Sequence, residues 1–347
     1  KSYAGEGAVY PKQIGNPDLT WEKNRNFDAG FEYSLFDGRL KGFASWYHRY
    51  TFDLLQMVPL SHTTGHESML MNVGSLINRG FEAEITGEII KSGDFSFSAG
   101  ISFVTVENEV KELAKDAAGN EINIENATRK VATGHPLYGW YMRKWAGVNP
   151  ENGKPQWYVN GVDGEVTENY NAAKKEWQGG SAIPRINSAL NTHTEYRNFY
   201  LDLNFYYAGG HKIYEDYSVL THHSGYYTFL YYNGTEKLME RWQNPGDVTD
   251  VPKVVYGASD DSKESTRFLA EGDYIRMKDL VLGYRVPEKF TRKIRFENAE
   301  IYLRGTKLLT FAKDKNLEYD PETGADGMTR FTNPPVKSIV FGINLNF

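Results

Sequence analysis

The sequence contains no cysteine, so disulfides and thiol chemistry are excluded. It has no run of apolar residues long enough for a transmembrane helix. It has no GxSxG, Walker or Rossmann pattern, and no two carboxylates are placed by the sequence for glycoside hydrolysis. The chain is therefore read as a non-enzyme. Positive charge is in deficit, with a net charge of −6, which argues against nucleic acid as a main partner. The N-terminus, KSYAGEGAVY, has neither Met nor the features of a signal peptide, and the chain is read as processed or partial.

What is abundant is aromatic and turn-forming. Aromatic residues make up 14% of the 347, with 24 Tyr, 19 Phe and 7 Trp, alongside 33 Gly. Hydrophobic content is 40%, ordinary for a soluble chain. It does not exclude a membrane, because a barrel strand carries only every second residue apolar.

The most regular stretch is Ser338 to Phe347. Ile339, Phe341, Ile343, Leu345 and Phe347 alternate with Ser338, Val340, Gly342, Asn344 and Asn346, the period of a strand. On this stretch alone a closing barrel strand and the last strand of a soluble sandwich are equally compatible. The rest of the chain decides between them. Residues 22–35 and 40–47 alternate about the tight turn Phe36-Asp37-Gly38. Phe81, Ala83, Ile85 and Ile89 oppose Glu82, Glu84, Thr86 and Glu88, and Phe95, Phe97, Ala99, Ile101 and Phe103 oppose Ser96, Ser98 and Ser102. Further strands are expected at 138–148, 156–159, 186–196, 199–207, 274–286 and 299–309. The total is about eleven, mostly ten residues or longer, against about five or six in an ordinary soluble strand. Short turns alternate with long loops at about 53–75, 107–136, 160–183, 209–270 and 311–337. Long strands joined by short turns on one side and long loops on the other describe an antiparallel transmembrane β-barrel.

Several phrases carry a family resemblance: NPDLTWEKNRNFDAGFEY (Asn16 to Tyr33), NVGSLINRGFEAEI (Asn72 to Ile85), GVNPENGKPQWY (Gly147 to Tyr158), GDYIRMKDLVLGYRVP (Gly272 to Pro287) and SIVFGINLNF (Ser338 to Phe347). In this order, across almost the whole chain, they resemble the SusC/RagA family of TonB-dependent outer-membrane transporters. The resemblance implies a barrel of about 22 strands with a plugged lumen, of which residues 1–347 would be the C-terminal part. Plug, TonB-contacting segment and first barrel half would lie outside this chain. It also implies outer-membrane lipid around the barrel, a SusD-like surface lipoprotein as lid, the TonB complex as energy source, and a Gram-negative host, expected among the Bacteroidota. The implied function is import of glycans or peptides. A passive porin or structural surface barrel, and a soluble glycan-binding β-protein, are the alternatives.

No cofactor is expected. His62 and His66 share one loop and His222-His223 another, without a defined ligand set. The acidic runs at 257–264 (GASDDSKE) and 320–327 (DPETGADG) could hold Ca²⁺, but neither has EF-hand spacing, and solvated turns are expected. The aromatic loop residues are the candidate contacts for substrate or lid: Tyr226, Tyr227, Phe229, Tyr231, Tyr232 and Trp242 in the longest loop, with Trp157 and Trp177 near another. Aromatic faces stack on sugars and anchor interfaces, and also pack loops upon themselves. In the resembled family the terminal strand is the barrel-assembly signal, which implies that role for Phe347, Leu345, Ile343 and Phe341.

Overall fold

The computed structural model describes residues 2–3, 6–7, 14–116, 118–222, 225, 233–257, 260–330 and 333–347. Nine long strands form one continuous antiparallel wall: β1 (Lys23–Leu35), β2 (Leu40–Phe52), β3 (Ser75–Ser92), β4 (Phe95–Thr105), β5 (Ile186–Tyr196), β6 (Phe199–Gly209), β7 (Tyr274–Arg285), β8 (Asn298–Ala312) and β9 (Ser338–Asn346). Each pairs with its neighbours in chain order, from β1 at one edge to β9 at the other. The short strand Glu107–Glu112 adds to the sheet beside the start of β3. Four connections are short or compact and fall at one end of the wall: 36–39, 93–94, 197–198 and 286–297. The connection 197–198 is tied to both sides, since Arg197 N–H donates to the Asp94 carbonyl at 2.8 Å and Arg285 N–H, at the end of β7, to the Asn198 carbonyl at 2.8 Å. The long loops 53–74, 106–185, 210–273 and 313–337 lie at the other end.

The register places one residue series on each face. Along β4, Phe97, Ala99 and Ile101 lie opposite Thr194, Thr192 and Leu190, while Ser96, Ser98 and Gly100 lie opposite Glu195, His193 and Asn191. The apolar face is bare: Phe27 is 60% exposed, Phe31 65%, Phe341 65% and Ile339 69%. A sheet in water would bury such a face, so this belt has the character of one solvated by lipid. The other face is polar and crosslinked. His193 meets Asp202 at 2.5 Å and Glu195 at 3.1 Å, Arg285 meets Glu195 at 2.6 Å, and Arg304 meets Asp279 at 2.7 Å. On this face Tyr200 and Tyr302 lie across Gly283 and Gly342 of the next strand, where a Cβ would stand 2.1 and 2.2 Å from the tyrosine ring. Any side chain there would displace the ring that fills its space.

Two expected barrel strands are corrected. Residues 138–148 and 156–159 do not join the wall. Gly139–Arg143 pairs with Lys175–Ser181, and Trp145–Val148 pairs with Pro155–Tyr158 in a three-stranded sheet inside the long loops. The wall therefore has nine long strands rather than about eleven. Removing a pair of strands leaves the alternation of short and long connections intact. Within the long loop 53–74, Leu55–Pro59 and Ser68–Asn72 form a hairpin. Strands β1 and β9 are not paired to each other. An unpaired edge in hydrocarbon leaves backbone groups without partners, so these strands do not close a small barrel of their own.

Candidate functional site: a loop canopy over the polar face

The loops at the long-connection end fold on one another. Trp140, Met142, Ala182, Tyr214 and Phe268 form one buried cluster, with Met328 and Leu269 against it, so residues from three separate loops share a core. Backbone links accompany it: Tyr214 N–H donates to the Gly327 carbonyl at 2.9 Å, and Trp145 N–H to Thr266 Oγ1 at 3.0 Å.

The deepest charge in this region is Arg276, the third residue of β7, 1% exposed. Its position on the polar face follows from pairing with Tyr206 and Thr310. Nη2 donates to both Asp320 oxygens at 2.7 and 2.6 Å, Nη1 to Glu322 at 2.5 Å, and Nε to Thr310 Oγ1 at 3.0 Å. Lys278 also reaches Glu322, at 2.7 Å. The loop after β8 is thereby pinned to the wall by a buried cation. Two carboxylates of the DPETGADG run are thus committed to cations of β7. In the other acidic run, Asp260 pairs with Lys263 and the buried Asp261 with Arg267. Among the described residues no group of three His, Cys, Asp or Glu side chains is arranged to hold a metal.

A second joint lies between the loops 210–273 and 313–337. Glu215 is buried and accepts from Glu318 N–H at 2.9 Å, and His222 meets Glu318 at 2.8 Å. Burial pushes the Glu215 carboxyl up to about 7, with Glu318 adding like-charge repulsion. Burial likewise holds the His222 imidazole down at about 4, helped by Lys237 and Arg267. His222 is therefore neutral near pH 7, a hydrogen-bonding rather than an ionic partner.

The aromatic residues singled out in the sequence separate. Trp157 is corrected as a contact residue: it is 0% exposed, packed edge-on against Trp145 and Tyr170 at 5.6 and 5.3 Å, so its ring is spent on the loop core. Trp242 is half-buried. Its Nε1 donates to the Pro150 carbonyl at 2.9 Å, and its ring lies on Gly153, where a Cβ would be 2.4 Å away. It staples the loop 210–273 to the 149–154 turn. Trp177 stacks on His135 at 3.7 Å and lines a cleft of about 360 Å³ with Glu107, Asn108 and Arg185. Tyr226, Tyr227, Phe229, Tyr231 and Tyr232 lie outside the described residues, as do His223 and the side chain of His62. Phe347 is 92% exposed, 6.3 Å from the Phe296 ring, and Leu345, Ile343 and Phe341 share the bare face of β9.

Sequence reading missed Arg276, Glu215 and His222 as a structural set. The sequence signal for Arg276 stopped at a cation in an inward slot near the start of a strand, since its acidic partners lie beyond the next strand, in the loop after β8. Chemically the assembly offers a charged, hydrogen-bonding wall beneath aromatic-cored loops. That arrangement can pass and hold polar solutes.

Residues 2–207 match the family model described as TonB dependent receptor-like, beta-barrel. TonB-dependent receptor P3 of Formosa agariphila is 26% identical over 96% of this chain and 35% of its own length, and TonB-dependent receptor SusC of Bacteroides thetaiotaomicron is 25% identical over 96% and 32%. Among solved structures, the RagAB peptide transporter superposes with a TM-score of 0.83 at 29% identity over 96% of this chain and 36% of that one, and the importer's open-open state with 0.84. The chain spans about a third of the length of these relatives.

Proposed function

Because the chain belongs to the TonB-dependent receptor-like β-barrel family, we propose that it forms the C-terminal part of the barrel wall and loop canopy of a SusC-like outer-membrane importer. The wall continues into strands outside residues 1–347, and the full transporter works with a SusD-like surface lipoprotein and the TonB complex. One observation carries the reading: nine strands present a bare apolar belt on one face and a crosslinked polar wall on the other, and among the described residues neither edge of the wall is paired. A complete soluble domain has no use for such a sheet, whereas a wide barrel in lipid requires it.

The cargo is a glycan or a peptide. Likeness to the RagAB peptide transporter at 29% identity supports a peptide. The contact surface would include Trp177, Trp242 and the 226–232 segment, and Phe347 with its β9 series would mark the chain end for barrel assembly. The test is uptake of labelled oligopeptides and oligosaccharides by host cells with and without the full-length gene, each with and without a protonophore. Energised import predicts that gene loss and protonophore abolish the same uptake. Gene-dependent uptake that survives the protonophore would make the protein a passive pore. Deleting 226–232 should reduce uptake with assembly intact.

A further inference from the structure

The connector between β7 and β8 carries Lys289, Arg292, Lys293 and Arg295 against the carboxylates of Glu288 and Glu297. All four cationic side chains are exposed. Arg292 meets Glu288 at 2.6 Å. The side chains of Lys289, Lys293 and Arg295 have no ion-pair partner among the described residues. Arg295 closes the short helical segment in the left-handed region, with φ 62° and ψ 30°. That position ordinarily goes to glycine, because a side chain there is strained. A charged side chain is held at a site where none would be cheaper.

The patch is continuous with the lipid-facing belt. Arg292, Arg295 and Phe296 line a cleft of about 420 Å³ with Glu288 and Glu297. The Phe296 ring lies 6.3 Å from that of Phe347, the last member of the bare apolar series of β9. Phe290, in the same connector, is 57% exposed. Glu297 N–H donates to the Asn346 carbonyl at 2.8 Å, fixing the connector to the end of β9. The cations therefore stand beside the end of the bare apolar belt, on the short-turn side. In this barrel class that end faces the periplasm.

We propose that residues 288–297 form a docking surface for the phosphate groups of anionic phospholipid in the leaflet on the short-turn side. The aromatic rings of Phe290, Phe296 and Phe347 would enter the acyl boundary, and the four cations would reach the headgroups. The inference rests on family membership and on the belt, and is independent of what the transporter carries.

The test uses the full-length transporter purified in detergent and titrated separately with phosphatidylglycerol and phosphatidylethanolamine, with bound lipid counted by native mass spectrometry. The wild type should prefer phosphatidylglycerol. The variant K289Q/R292Q/K293Q/R295Q should lose that preference by roughly ten-fold or more, since each basic residue near an anionic surface contributes measurably. A control with Lys115, Lys174 and Lys315 of the long loops changed to Gln should keep it. Equal preference in wild type and quadruple variant would overturn the proposal, as would an equal loss in the control. If the quadruple variant fails to give a heat-modifiable barrel, Arg295→Gly decides. Glycine suits the left-handed backbone, so the turn is preserved, and preference should still fall about three-fold. An unchanged preference in that variant would overturn the assignment. So would an unchanged preference accompanied by impaired uptake, which would assign the patch to a protein partner.

Discussion

The strand wall and the loop canopy use the same residue types in opposite ways. In the wall, Phe27, Phe31 and Phe341 are 60 to 65% exposed. In the canopy, Trp140, Trp157 and Met142 are 0% exposed. Charges invert too. The wall displays ion pairs such as Arg304–Asp279 on an open polar face, with side chains 51% and 33% exposed, while the canopy encloses Arg276 at 1%. The difference teaches that each region answers to its own solvent. Lipid solvates the wall's apolar series, so burial there adds nothing. Water surrounds the canopy, which must build small cores of its own.

The comparison can be broken most forcefully at the joint between the regions. Replacing Arg276 with Met leaves Asp320 and Glu322 without their main partner, and should destabilise the loop after β8 by roughly 3–5 kcal/mol. Limited proteolysis should then cut within 313–337 while the wall stays heat-modifiable. Resistance equal to the wild type would mean that the loop is held by other contacts.

Next in size is the face assignment within one strand. Ala99→Arg puts a charge on the belt and should cost about 2–4 kcal/mol of barrel stability if it sits near the bilayer midplane. Ser98→Arg, one residue away on the polar face, should be nearly neutral. Equal penalties, read from urea unfolding in lipid vesicles, would contradict the two faces.

The smallest effect is confined to the canopy and depends on pH. Glu215 has its folded value raised to about 7 from 4.5. Its contribution is thus fully present below about pH 4.5 and is lost as pH rises through 7. His222 acts in the opposite direction. Its folded value is lowered to about 4 from 6.5, so its contribution is present above about pH 6.5 and lost as pH falls toward 4. Glu215→Gln should therefore protect Ser218–His222 from hydrogen exchange at pH 8 relative to wild type, by at most about 3 kcal/mol, and change little at pH 5. Greater protection at pH 5 than at pH 8 would reverse the sign and reject the account.

The wall was largely legible in the sequence, and the canopy was not. Period-two alternation in β4 and β9 specifies both faces, because a slip of one residue would turn every apolar side chain inward. The same alternation misled at 138–148. There Trp140 and Met142 are apolar at strand spacing because they point into a loop core, not because they meet lipid. The Arg276–Asp320 contact joins residues 44 apart in sequence, and no local pattern encodes it. The aromatic residues taken as contacts were chosen by type and loop position, and neither distinguishes the buried Trp157 from the half-buried Trp177.

The central claim is that one chain presents alternate residues to two different solvents. Residues 1–347 hold no cysteine, so single cysteines can be placed along β4 at Ser98, Ala99, Ile101 and Ser102 in a full-length protein freed of any cysteine outside these residues, in native membranes. The measurement is their reaction with a charged, membrane-impermeant maleimide. The account predicts that positions 98 and 102 react while 99 and 101 do not react until the membrane is dissolved. Uniform labelling at all four, or labelling of 99 and 101 alone, would contradict it.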